Sequence, residues 1–283
     1  MTLFDDGLAA SRASAPLAVR MRPRSIDEVV GQEEALGLGS PLRTLLTAPA
    51  DAPVVSVVLW GPPGTGKTTI ARLLADAVGL RFAPISAVFS GVADLKKAFA
   101  EARDHARAGN RTLLFVDEIH RFNRAQQDGF LPYVEDGTVT LVGATTENPS
   151  FELNAALLSR AQVLILHRLG SEALGQLVTR AEALTERPLP LTPPAREALI
   201  ASADGDGRFL LNQVETLFSV DLAEPLDPAG LSGFLQRRVA VYDKDREGHH
   251  NLISALHKSI RGSRTEEHTS ELQSRLHLVC RLL

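Results

Sequence analysis

The apolar positions of this chain follow two rhythms in succession. As far as residue 168, short runs of β-branched and aliphatic residues alternate with segments whose apolar positions recur every three or four residues. The runs 54–60, 81–86, 112–118, 138–144 and 163–166 predict strands, and 67–78, 92–108, 123–129 and 154–158 predict helices between them. In 92–108, for example, Leu95, Ala98, Phe99 and Ala102 share one face. A helix over 36–46, interrupted by Gly37, Gly39 and Pro41, is expected before the first strand, and a loop around Glu135 to Gly137. Ser25 to Glu28 has the composition of a capping box. Apolar strands that alternate with helices mean a parallel sheet covered on both faces, an α/β fold. Phe89, Phe99, Phe115 and Phe130 are expected in its core.

From Ser171 the strand signals stop while helical periodicity continues over 172–185, 193–200, 208–218 and 231–241, with a Pro-rich linker at 187–194. This predicts a small all-helical domain after the α/β core. The expected organisation is a flexible arm over 1–19, the core over 20–168, the helical domain over 169–241 and the start of a further domain over 242–263. Residues 264–283 change character, being polar and non-periodic over 266–274, and are expected to be a non-native tail. Cys280, the single cysteine, falls in that tail, so no disulfide framework or cysteine zinc site is expected.

Composition narrows the class without choosing a function. With 283 residues, 44% of them hydrophobic and 23% charged, the chain has the make-up of a globular protein rather than a disordered one. The first twenty residues hold no signal-like apolar core and no later window approaches eighteen unbroken apolar residues, which gives a cytoplasmic, membrane-free expectation. A net charge of −4 argues against a uniformly basic nucleic-acid coat but leaves room for a local basic surface.

The chemistry begins where the first strand ends. Gly61, Pro62, Pro63, Gly64, Thr65, Gly66, Lys67 and Thr68 form the pattern G-x-x-x-x-G-K-[ST], with Thr69 continuing into a helix. Glycines let successive backbone N–H groups point at phosphate oxygens, the helix start adds the positive end of its dipole, Lys67 adds a full charge, and Thr68 offers a hydroxyl to Mg²⁺. Asp117 and Glu118 end the third strand, at the carboxyl edge where open α/β sheets gather ligands. Asp117 is expected to hold Mg²⁺ through its water shell, and Glu118 to orient the water that attacks the γ-phosphate. Thr145, Thr146, Glu147 and Asn148 follow the next strand, within reach of the same phosphate. Arg160 alone reads as a helix C-terminal charge, whereas Arg208 opens a helix, a poor place for a cation unless a phosphate is its partner. His120, Arg121 and Arg124 are expected to face DNA, a neighbouring subunit or solvent.

Together these residues resemble an AAA+ P-loop ATPase of the clamp-loader branch, and more closely the replication-associated recombination protein A family, relatives of the eukaryotic Werner helicase-interacting protein. The likeness rests on Arg20-Met-Arg-Pro23 with Val30-Gly-Gln32, on the P-loop, on Asp117 to Asn123 with Ala125 to Asp128, on Gly143 to Phe151, and on Asn251 to Ser263. The resemblance implies that Val30 and Gly31 lie near the adenine, that Thr145 or, by preference, Thr146 is the sensor-1 residue, that Arg160 is an arginine finger for the neighbouring subunit, and that Arg208 is the sensor-2 arginine of the lid. It further implies ATP and Mg²⁺ as cofactors, and action on forked, gapped or single-stranded DNA ends at stalled or damaged replication forks. The implied partners are copies of itself in a tetramer and single-strand-binding or other replication proteins, in a bacterial, nucleoid-associated setting. The family pattern is left at Arg264, and no Cys/His set exists for the zinc finger of the eukaryotic relatives. A clamp-loader or branch-migration motor subunit, and a low-turnover ATP-gated scaffold, are the alternatives.

Overall fold

The computed structural model of the protein describes residues 15–37, 39–47 and 55–243, with side chains as far as residue 236. The expectations for most of the first nineteen residues, for Asn251 to Ser263 and for the 264–283 tail lie outside the described residues.

Five strands, β1 (Ser56–Trp60), β2 (Arg81–Ser86), β3 (Thr112–Asp117), β4 (Val139–Thr145) and β5 (Ala161–Ile165), form one wholly parallel sheet in the order β2-β3-β4-β1-β5. All five therefore deliver their following loops to one edge. The helices in chain order are α1 (Leu17–Arg20), α2 (Glu33–Leu36), α3 (Pro41–Leu46), α4 (Lys67–Ala77), α5 (Val92–Arg107), α6 (Arg124–Asp128), α7 (Leu131–Glu135), α8 (Pro149–Glu152) and α9 (Ala155–Leu158). They are followed by α10 (Ser171–Thr185), α11 (Pro193–Ser202), α12 (Gly207–Phe218) and α13 (Pro228–Asp243).

Alternation along the strands divides the apolar residues between two layers. Val57, Leu59, Leu113, Phe115, Val142 and Ala144 pack with Ile70 and Leu74 of α4 on one face. Val58, Leu114, Val116 and Leu141 pack with Leu95 and Phe99 of α5 and with Phe122 and Phe130 on the other. Phe99, Phe115 and Phe130 are buried as expected, but Phe89 is 87% exposed. It sits in a tight turn after β2 in which Phe89 N–H and Ser90 N–H both donate to Ser86 O, at 3.1 and 2.9 Å, and the turn carries the ring clear of the core.

Other local readings change for identifiable reasons. Residues 36–46 are not one helix, because Pro41 starts a new one capped by Ser40 Oγ, which accepts from Arg43 N–H at 3.2 Å. Ser25 makes no side-chain cap, and Glu28 instead accepts from Arg24 N–H at 2.8 Å. The loop expected at Glu135 contains the one-turn helix α7.

The described chain resolves into two compact units, the first spanning residues up to 189 and 203–220, the second 190–202 and 221 onward. Within the first, α10 and α12 pack on each other and α1 packs on α12. Within the second, α11 and α13 pack together, and Leu226 N–H donates to Pro190 O while Thr192 N–H donates to Leu226 O, both at 2.9 Å. No helix among the described residues is long and apolar enough to cross a membrane.

Candidate nucleotide-binding site

The carboxyl edge of the sheet opens into a cleft of ≈ 410 Å³ within the first unit. One wall is the P-loop from Pro63 to Thr69, and the polar end is closed by Asp117, Glu118 and Thr146. Val29, Val30, Leu169, Leu177 and Leu211 add apolar surface to the lining, and Arg22, Arg208 and Asn212 are among its other polar residues. Apolar surface and convergent charge in one cleft are what a base and a polyphosphate require.

The P-loop takes its shape from close approaches. Gly64 has φ +69°, and a Cβ there would stand 1.8 Å from Asp206 Oδ1 and 3.0 Å from Asp206 Cα. Asp206 is the N-cap of α12, accepting from Phe209 N–H at 2.8 Å, so the start of the helix that carries Arg208 lies directly against the loop. Only glycine permits that contact, both for space and for backbone conformation.

Lys67 is 8% exposed and donates from Nζ to Gly61 O and Pro62 O, at 2.7 and 2.8 Å. Burial holds its pKa below the usual lysine value of 10.5; the Glu118 and Asp117 carboxylates oppose that shift, and Arg208 adds to it. Arg22 is likewise lowered, by burial and then by the charges of Arg72 and Arg208. Arg208 thus repels both Lys67 and Arg22 in the cleft lining, a repulsion that a polyanion relieves, so the residues present fit a nucleotide triphosphate. Thr68 and Asp117, which both line the cleft, are hard oxygen donors of the kind Mg²⁺ takes.

The carboxylate side is built on a sharp turn. Asp117 ends β3, and Glu118 follows in the left-handed region at φ 54°, ψ 44°. Arg121 N–H donates to Glu118 O at 2.9 Å, closing a 3₁₀ turn over Ile119–Arg121. That turn rests on β4 because Gly143 has no side chain; a Cβ there would meet Ile119 Cδ1 at 2.9 Å. His120, whose side chain is 12% exposed, does not face outward to DNA, a neighbouring subunit or solvent as expected. Its Nδ1 lies 2.9 Å from Thr145 Oγ1 and its Nε2 3.3 Å from Glu118 Oε2. Arg121 and Arg124 are exposed.

Two glutamines that gave no chemical signal in the sequence act as wedges. Gln32 is 3% exposed; its Nε2 donates to Thr65 O at 3.3 Å and to His167 O at 2.7 Å, and its Oε1 accepts from His167 N–H at 3.1 Å. It thus fastens the Val30-Gly-Gln segment to the P-loop and to the end of β5. Gln127 repeats the device, donating to Phe122 O and Glu152 O and accepting from Asn154 N–H. Gln32→Ala leaves buried backbone groups of both segments without their partner and is expected to cost about 2–4 kcal/mol, read as a fall in urea midpoint with unchanged slope.

The cleft gathers Val30, the P-loop from Pro63 on, Asp117, Glu118, Thr146 and Arg208, but not every residue singled out in the sequence. Gly31 lines a neighbouring cavity, where its φ of +71° and the approach of Leu169 and Ala173 require glycine. Gly61 and Pro62 face a second shallow pocket with Thr146. Thr145 is fully buried and bonded to His120 and Glu147, which leaves Thr146 as the threonine on the cleft wall. Arg160 is elsewhere. It precedes Ala161, which is in register with Ser56 at the start of β1, five residues or about 17 Å from the P-loop end. There its guanidinium pairs with Glu135 Oε1 at 2.6 Å and donates to Ala156 O at 2.7 Å. Arg22 lies in the Arg20-Met-Arg-Pro23 run that carries part of the family likeness, but no role at the site was expected of it.

Comparison with known proteins agrees with this geometry. The family described as "ATPase family associated with various cellular activities (AAA)" matches residues 57–169, and the "AAA C-terminal domain" matches 185–261. The chain is 45% identical over 260 residues to the replication-associated recombination protein A of Escherichia coli (strain K12), covering 88% of this chain and 57% of that protein. It is 39% identical over 276 residues to the ATPase WRNIP1 of Dictyostelium discoideum, covering 89% of this chain and 31% of that one. The chain thus spans less than two thirds of the length of these relatives. Among solved structures it is similar to the Holliday junction branch migration motor RuvB of Thermotoga maritima, with a TM-score of 0.59 and 26% identity over 77% of this chain and 72% of that one. The parallel five-stranded sheet, the P-loop cleft with its paired carboxylates and these likenesses agree: the chain belongs to the AAA+ ATPases, in the replication-associated recombination protein A family.

Proposed function

We propose that this protein binds ATP with Mg²⁺ in the P-loop cleft, hydrolyses it between adjacent subunits, and couples the cycle to DNA at stalled or damaged replication forks. The observation that carries the reading is the convergence of Lys67, Thr68, Asp117, Glu118, Thr146 and Arg208 on one cleft, with a surplus of cations at its phosphate end. The DNA role is supported by the names of the relatives, which are replication-associated and recombination proteins, and by the branch-migration motor among the structural neighbours.

Each residue then has a distinct task. The P-loop amides and the N-terminus of α4 receive the β- and γ-phosphates, and Lys67 exchanges its carbonyl partners for phosphate oxygens. Thr68 and Asp117 hold the Mg²⁺, which neutralises charge on the phosphates when bound. Glu118 accepts a hydrogen bond from the attacking water and aligns it, Thr146 senses the γ-phosphate from the end of β4, and Arg208 covers it from α12. Arg22 stands beside Arg208 and adds a further cation. Val30, with Gly31 setting the bend beside it, and the leucines of the lining enclose the base. Arg160, about 17 Å along the sheet from its own P-loop, reaches a γ-phosphate only in another subunit, which supports a homo-oligomer.

Glu118→Gln tests the assignment. The variant is expected to bind ATP with affinity within about threefold of wild type while turnover falls about 10²- to 10⁴-fold, the range a positioned general base supplies. Wild-type turnover in Glu118→Gln would remove Glu118 from this role.

A further inference from the structure

His120 is held from both sides, and its bonding has a direction. Glu147 N–H donates to Thr145 Oγ1 at 3.0 Å, so that hydroxyl oxygen already receives one hydrogen bond and has its own proton to give. Its two acceptors are His120 Nδ1 at 2.9 Å and Glu147 O at 3.2 Å, of which the ring nitrogen is nearer. On the far side of the ring Nε2 lies 3.3 Å from Glu118 Oε2. An ionised carboxylate only accepts, so this contact is favourable with the ring proton on Nε2. The polar series therefore runs Glu147 N–H, Thr145 O–H, His120 ring, Glu118 carboxylate, and each member offers what the next one needs.

A histidine that merely filled space would have apolar neighbours at its nitrogens. Here both nitrogens meet polar atoms, one of them on the carboxylate beside the phosphate end of the cleft. The frame around it is stiff: Glu118 stands in the left-handed region, the 3₁₀ turn returns to its carbonyl, and Ile119 is seated over Gly143. Thr145 is fully buried in β4, and the next residue, Thr146, is on the cleft wall. The end of β4 thus touches the cleft through Thr146 and the Glu118 carboxylate through Thr145 and His120.

We propose that His120 is a positioning residue: anchored on Thr145, it sets the orientation of the Glu118 carboxylate and passes to it any shift of the β4 end when Thr146 meets a phosphate. This rests on Glu118 being the group that aligns the attacking water. His120 is not among the residues that line the cleft and acts only through Glu118.

Two measurements on the whole chain test the link. The ¹⁵N shifts of the His120 ring are expected to show one fixed form with the proton on Nε2, and Thr145→Val is expected to release it into averaged tautomers. A ring whose Nε2 carries no proton, or whose tautomers already average in the wild type, would overturn the proposal. In steady-state assays, His120→Phe is expected to lower kcat about 10- to 100-fold, the scale of a small misplacement, with ATP affinity within about twofold. His120→Gln, which keeps an N–H donor, is expected to recover most of that loss, and His120→Phe to add nothing in a Glu118→Gln background. An unchanged kcat in His120→Phe, or kcat and ATP affinity falling together in both variants, would refute it. If Glu118→Gln itself turns over normally, the role of Glu118 fails; if Glu118→Gln is silent while His120→Phe is fully active, only the link fails.

Discussion

Arg160→Ala is expected to lower ATP turnover a thousandfold or more while ATP affinity stays within about twofold of wild type, because an arginine finger stabilises charge that develops only in the transition state. The geometry forbids the same arginine from serving its own subunit. It stands at the amino-terminal edge of β5, whereas the P-loop follows the carboxyl edge of β1. In the single chain its guanidinium pairs with Glu135, and both side chains are partly exposed, at 37% and 51%. An exposed pair of this kind is worth little, so it would offer little resistance to exchange for a γ-phosphate in the proposed assembly. Mixing Arg160→Ala with Lys67→Ala subunits checks the arrangement. The Arg160→Ala subunit keeps an intact P-loop and the Lys67→Ala subunit keeps an intact finger, so mixed assemblies regain turnover that neither variant has alone. No recovery over any mixing ratio would place the catalytic arginine elsewhere.

Lys67→Met is expected to abolish ATP binding and, without nucleotide, to raise the stability of the fold. Lys67 is buried against the loop carbonyls with its pKa held below the usual value of 10.5, chiefly by burial. A lysine with a lowered folded pKa binds its proton less tightly when folded than when unfolded. Its charge therefore costs stability at every pH below the folded pKa, and the cost is relieved as pH rises from there toward 10.5. The methionine side chain fills a similar volume without a charge. The two proteins should thus differ most in melting temperature near neutral pH and converge in the alkaline range. Adding ATP should raise the melting temperature of the wild type alone, since only a protein that binds the ligand is stabilised by it. A variant less stable than wild type at neutral pH without ATP would show that the carbonyl contacts of Nζ outweigh the burial of its charge.

How far the molecule can be read from its sequence depends on how local each feature is. The P-loop needs only a strand, a glycine-rich turn and a helix in succession, and the structure has β1 at 56–60 and α4 at 67–77 where periodicity put them. The carboxylates at 117 and 118 follow from an apolar run that ends in charge, and their place beside Thr146 follows from strand order. The rest is not local. Gln32 is joined to His167 across 135 residues and Leu17 to Glu215 across 198, and nothing near either residue announces the partner. Arg22 reaches the cleft for the same reason. His120 reads as an exposed turn residue until β4 is placed beside it, and Phe89 reads as core until the turn after β2 is seen to carry it outward. Periodicity reports which face of an element is apolar; it is silent about a single polar side chain that crosses from one element to another.

The most direct test of the account is ATP hydrolysis per subunit measured across a range of protein concentration, with and without forked or gapped DNA, and with Lys67→Ala as the blank. Turnover that rises with concentration and rises again with DNA is the result expected from the proposal that Arg160 of a neighbour completes each site. Turnover that is independent of concentration and unaffected by Arg160→Ala would contradict hydrolysis between subunits. A rate no greater than that of Lys67→Ala, in protein that demonstrably binds ATP, would contradict the ATPase reading and leave a nucleotide-gated scaffold in its place.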